Sequence, residues 1–141
     1  MKRVMVVQGA GMDERGRTQV EIFGPETLPE INAQIEAHAR ELGLDVEIFQ
    51  SNDEAAVVGW IQAADPARIA AMVINPGGFT PTKGPLPDVI RALPFSAYEV
   101  HASNPSARGV ISSISPACRG SICGFGYFGY RLALEAIARA S

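Results

Sequence analysis

A chain of 141 residues, 47% hydrophobic and 19% charged, has the size and composition of a single domain built around one core. Its formal charge of -3, with no cluster of Lys or Arg, gives no electrostatic footprint for nucleic acid. The longest apolar runs fall far short of the ~20 residues that cross a bilayer, which argues against a membrane partner. Met1-Lys2-Arg3 leads into a strand-like run rather than a signal peptide, so a cytoplasmic protein is expected. Two cysteines, Cys118 and Cys123, are too few for a disulfide framework. No Cys/His cluster with zinc-ligand spacing surrounds them, and both read as small apolar residues.

Val4 to Val7 is a short β-branched and apolar run, the pattern of a strand buried on both faces. Residues 8 to 26 carry glycine and charge without a period, and predict a long loop of the kind that serves as a lid. Thr27 and Glu30 form a capping-box pattern, and Leu28, Ile31, Ile35, Ala39 and Leu42 recur at helical spacing until Gly43. Val46 to Phe49 predicts a second strand, and Asp53 caps a helix with Val57, Val58 and Ile61 on its inner face. Ala70 to Ile74 predicts a third strand, with Asn75-Pro76-Gly77-Gly78 as the turn that ends it. A short helix over 86–93, strands over 97–100 and 121–124, and an amphipathic helix over 127–140 with Leu132, Leu134 and Ile137 complete the chain. Alternating strands and helices imply right-handed crossovers and a parallel sheet covered on both faces, an α/β three-layer sandwich. Ligands of such sheets sit beyond the carboxyl ends of the strands, here Gln8, residues 50–53, 75–82, 101–104 and 124–126.

Glu99-Val100-His101-Ala102-Ser103-Asn104 carries the sharpest chemical signal. In an extended segment the side chains at i and i+2 share a face, so Glu99 and His101 stand side by side. An imidazole exchanges protons near neutrality, and a neighbouring carboxylate orients it. The pair therefore reads either as an oriented acid or base, or as a hydrogen-bonded polar strand end. Gly124-Phe125-Gly126-Tyr127-Phe128-Gly129 matches a dinucleotide fingerprint, but the acidic residue expected ~20 positions on would fall beyond Ser141, and a tight strand-to-helix turn is the reading taken. Asn75 can hold a substrate oxygen or simply serve the turn, and Ser103 with the backbone around it can bind a carboxylate. His38 reads as a solvated or rim histidine, and Arg15, Arg17 and Lys83 are loop cations able to meet an anionic substrate.

The same stretches, in order, resemble the type II 3-dehydroquinate dehydratases, flavodoxin-like enzymes, over essentially the whole chain. The resemblance is carried by Glu21-Ile22-Phe23-Gly24, Phe49-Gln50-Ser51-Asn52, Ile74-Asn75-Pro76-Gly77, Glu99 through Asn104, Ile114-Ser115-Pro116 and Gly124-Phe125-Gly126, with Gly129-Tyr130 and Leu132-Ala133-Leu134-Glu135. It implies a flavodoxin-like fold with a five-stranded parallel sheet, no metal or organic cofactor, and a homo-oligomer of trimers or dodecamers. It further implies His101 as the general acid, Glu99 as its orienting partner, and Asn75 as the holder of the substrate or its enolate water. Ala102 and Ser103 would anchor a carboxylate, and Asp88 would reach a neighbouring subunit's site.

The chain departs from that pattern on the base side. Phe23 stands where the resemblance implies a loop tyrosine that removes the proton alpha to a ketone, and Thr18-Gln19-Val20 stands where it implies Arg-Glu-Pro, leaving Arg15 and Arg17 displaced. Gln8-Gly9-Ala10-Gly11 replaces an Asn-Gly-Pro-Asn segment, Pro81 replaces a histidine, Lys83 replaces a serine, and about three residues are missing after Arg108. Three functions remain open on these grounds. The first is a divergent lyase on a small carboxylated or cyclic oxygenated metabolite, with Lys83 a candidate base if burial lowers its proton affinity. The second is a non-catalytic paralogue that binds an anionic metabolite, and the third is an authentic dehydratase using Arg17, a water or another loop residue.

Overall fold

A computed structural model of the chain describes residues 1–140. Five strands, β1 (Lys2–Ala10), β2 (Leu44–Gln50), β3 (Ile69–Gly77), β4 (Ser96–His101) and β5 (Gly120–Cys123), form one sheet in the order β2-β1-β3-β4-β5, every pair parallel. The helices are α1 (Val20–Phe23), α2 (Leu28–Glu41), α3 (Glu54–Gln62), α4 (Leu86–Arg91) and α5 (Gly129–Arg139). This is the flavodoxin-like three-layer arrangement. Alternation along β1 builds two cores from one run: Val4 and Val6 pack with the inner faces of α2 and α5, Met5 and Val7 with those of α3 and α4. Among the described residues no helix is long and apolar enough to cross a membrane.

Helix starts follow their caps. Thr27 Oγ1 accepts from the Glu30 amide while Glu30 Oε1 accepts from the Thr27 amide at 3.0 Å, a complete capping box. Asp53 Oδ1 accepts from the Ala55 amide at 3.1 Å and starts α3. Val57 and Ile61 are buried as expected, with Val58 packed at the edge of that core. On α5 the buried face is Tyr130, Ala133, Leu134 and Ile137, so the leucine and isoleucine expected there are joined by a tyrosine, and Leu132 is only half-buried.

Three expectations need correction. Asn75, Pro76 and Gly77 continue β3 instead of turning, because β1 runs on beside them, pairing Gln8 with Asn75 and Ala10 with Gly77. β4 pairs with β3 only as far as Ile74, so Pro76 lies where one side of the ladder is already open. Residues 8 to 26 are not a featureless loop: β1 extends to Ala10, a 3-10 turn covers Met12–Glu14, and α1 follows. The last helix begins at Gly129, preceded by a 3-10 turn at Gly126–Phe128 that the positive φ of Gly126 makes possible.

The extended ends of β1 and β3 lie so close that a Cβ on Gly9 would overlap the Pro76 carbonyl. Replacement Gly9→Ala is expected to destabilise the fold by about 1–3 kcal/mol, the range for overpacking. Urea unfolding of the variant against the parent measures it.

Candidate active site

The strand order reverses between β1 and β3, and a cavity of about 440 Å³ opens over the carboxyl ends of β1, β3 and β4. Its floor is a buried polar network. The Tyr130 hydroxyl donates to Gln8 Oε1 at 2.6 Å and accepts from Asn75 Nδ2 at 3.0 Å, and Gln8 Nε2 donates to Asn32 Oδ1 at 3.2 Å. Burial, partly offset by the Asn75 and Gln8 hydrogen bonds, pushes the Tyr130 phenol far up from its ordinary range, so it stays a neutral donor. Asn75 Oδ1 accepts from the Gly77 amide at 3.2 Å, which fixes the side-chain amide and leaves one N–H uncommitted.

Glu99 and His101 do stand together at the end of β4. Glu99 is fully buried, and its Oε2 lies 2.8 Å from His101 Nε2, a close approach without the alignment of a full hydrogen bond. The carboxylate accepts the hydroxyls of Ser112 at 2.5 Å, Ser121 at 2.6 Å and Ser115. Burial alone would raise its pKa, but His101 and the three serine hydroxyls outweigh that and bring it down to about 2. The result is a permanent negative charge against the imidazole, whose ring lines the cavity. Sequence reasoning found the Glu99 and His101 pair but not the serines, which lie 13, 16 and 22 positions downstream.

Ala102 and Ser103 line the cavity beside His101. Ser103 Oγ accepts from Arg108 Nη2 at 2.8 Å, a partner that sequence reasoning did not assign. Of the loop cations, Arg15 lines the cavity and Arg17 does not; the 3-10 turn at Met12–Glu14 directs the chain so that Arg15 is half-buried and Arg17 faces solvent. Lys83 is exposed and outside the lining, because the turn after β3 places Thr80 and Pro81 in the wall and then leads away toward α4. Asp88 is exposed on α4 and bonded to Arg91 Nη1 at 3.0 Å, outside this subunit's cavity.

Phe23 places its ring in the wall, with the Arg15 guanidinium carbon 3.8 Å from the ring centroid and that of Arg108 at 5.6 Å. Gln19, which also lines the cavity, has a φ of 51°, a left-handed conformation few non-glycine residues hold. Among the described residues no three His, Cys, Asp or Glu side chains converge as metal ligands would. Cys118 packs against the α3 and α4 core, where burial and the Glu99 charge push its thiol up to about 12. It is an inert structural residue.

The chain is thus a parallel α/β sheet protein whose switch-point cavity is lined by an imidazole backed by a buried carboxylate and by the cations Arg15 and Arg108. The chain belongs to the class II dehydroquinase family, whose model matches residues 2–138. It is 41% identical over 137 residues to the 3-dehydroquinate dehydratase of Rhizobium johnstonii, covering 95% of this chain and 94% of that protein. The crystal structure of the type II dehydroquinase from Propionibacterium acnes superposes with a TM-score of 0.92 at 34% identity, covering 99% of this chain and 98% of that one. A 3-dehydroquinate dehydratase-like protein from Bifidobacterium longum gives a TM-score of 0.74 at 33% identity, covering 98% and 96% of the two chains.

Because the folded-state pKa of Glu99 is depressed, its contribution to stability is fully present above the ordinary carboxylate value of 4.5 and is lost as pH falls toward about 2. A Glu99→Gln variant is expected to be less stable at neutral pH and to lose less between pH 4.5 and 2. Denaturant midpoints across that window measure both effects.

Proposed function

We propose that the chain is a lyase of the dehydroquinase kind acting on a small carboxylated or cyclic oxygenated metabolite, with His101 as general acid and a proton-abstracting group different from that of its relatives. The observation that carries this reading is the His101 imidazole at the cavity wall with the buried Glu99 carboxylate 2.8 Å behind it. In such an elimination a base takes the proton alpha to a carbonyl, and the electron pair moves into an enolate. Its oxygen can receive the free N–H of Asn75, and the imidazolium then protonates the departing hydroxyl so that water leaves. Glu99, 2.8 Å from the ring, orients it for that step. Phe23, the residue against the Arg15 guanidinium, has no ionisable group to serve as the base. The reading carries with it a homo-oligomer in which Asp88, exposed on α4, reaches a neighbouring copy's cavity.

A second reading, an authentic 3-dehydroquinate dehydratase, is favoured by the 41% identity to a protein of that name. Assay on 3-dehydroquinate separates the two. The first reading expects turnover well below the usual enzyme range of ~1 s⁻¹, and turnover at or above that rate decides for the second. Under either, His101→Ala is expected to lower kcat by ~10²- to 10⁴-fold while the chain still unfolds cooperatively, and wild-type turnover in that variant removes His101 from the chemistry. Phe23→Tyr, which supplies a phenol beside Arg15, is expected to raise kcat on 3-dehydroquinate; an unchanged rate means that the missing phenol is not what limits the enzyme.

A further inference from the structure

Two guanidinium groups are brought to one wall of the cavity, and the chain supplies neither with a carboxylate. Arg15 and Arg108 both line the cavity and both lie against the Phe23 ring, at 3.8 and 5.6 Å from its centroid. None of the ion pairs among the described residues includes either of them. Glu14, the one acidic residue of the lining, is exposed and forms no ion pair with either. The Nε of Arg15 is buried without a hydrogen-bond partner, and so is the hydroxyl of Tyr127, whose phenol interacts with that guanidinium. Burial, and more weakly the like charge of Arg108, work against the Arg15 cation.

An arrangement of this kind is costly when empty. A half-buried cation beside a second, exposed one gains from an anion, and a guanidinium stacked on a phenyl face keeps its in-plane N–H donors available for one. A phenol in place of Phe23 would supply a hydroxyl to that position; the phenyl ring leaves the donors unused. Arg108 also bonds Ser103, so the Arg15 wall and the Ala102 to Ser103 turn are joined through one side chain.

We propose that Arg15 and Arg108 form a second oxyanion subsite, so that the molecule the cavity takes carries two anionic groups, one on the Ala102 to Ser103 turn and one, a carboxylate or a phosphate, against the two guanidiniums. The proposal rests on the functional reading only in placing the ligand in this cavity; its readout is binding, so it can fail while His101-dependent turnover of a singly charged substrate stands.

Titration calorimetry with three probes tests it: benzoate with one carboxylate, isophthalate with two, and inorganic phosphate. The wild type is expected to bind isophthalate at least about tenfold more tightly than benzoate, and phosphate is expected to compete with isophthalate. Arg15→Met, an unbranched side chain without the charge, is expected to abolish the isophthalate advantage over benzoate, and Arg15→Lys is expected to retain most of it. A protein that binds the two carboxylates equally, that binds no isophthalate, that shows no competition by phosphate, or whose Arg15→Met form keeps the advantage with an unchanged unfolding temperature overturns the subsite.

Discussion

A fully buried carboxylate is among the least tolerable groups a protein interior can hold, since removing one charge from water costs several kcal/mol even after the surroundings relax. Glu99 persists because four groups meet it: three serine hydroxyls and the imidazole of His101. Those serines come from the segment after β4, from the 3-10 turn at Ser115–Ala117 and from β5, so satisfying one charge also ties the last third of the chain over the strand that presents the histidine. Structure and chemistry here share one electrostatic requirement. Loss of the carboxylate would leave three hydroxyls and an imidazole without their acceptor, and the closing strand without its anchor.

The second organising device lies at the switch point. Gln8 and Asn75 face each other in register on β1 and β3, and the Tyr130 hydroxyl of α5 bridges them from beneath. Three distant parts of the sequence thereby hold the cavity floor in one arrangement. A neutral phenol suits this task, because it donates and accepts at once and burial favours its uncharged form. The wall that carries Arg15, Phe23 and Arg108 is of another kind, made by loop segments whose partners are one another and whatever the cavity binds.

Much of this was legible beforehand, for identifiable reasons. β-branched runs mark strands buried on both faces, and the Thr27 and Glu30 box marks the start of α2 because each side chain satisfies the other's backbone. Two-residue spacing in an extended strand is enough to place Glu99 beside His101. What stayed hidden depends on long-range contacts or on irregular backbone. In the sequence Tyr130 is marked only by the Gly129-Tyr130 match, and its partner 122 positions earlier shows what its hydroxyl does. The choice between Arg15 and Arg17 is decided by a 3-10 turn that no periodicity announces, and Asn75 to Gly77 look like a turn until β1 is seen to run on beside them. The placement of Glu99 and His101 follows from a regular strand, while that of Arg15, Phe23 and Arg108 depends on irregular backbone.

The stretch from Gly11 to Gly24 has one further implication. Of its fourteen residues only Met12 is fully buried, yet Gly11, Glu14, Arg15, Thr18, Gln19 and Phe23 all face the cavity. It contributes much of the ligand-facing surface and little of the packing. Apart from Met12, side chains of this segment can be replaced without repacking either core, so the surface a ligand meets is set largely apart from the stability of the sheet.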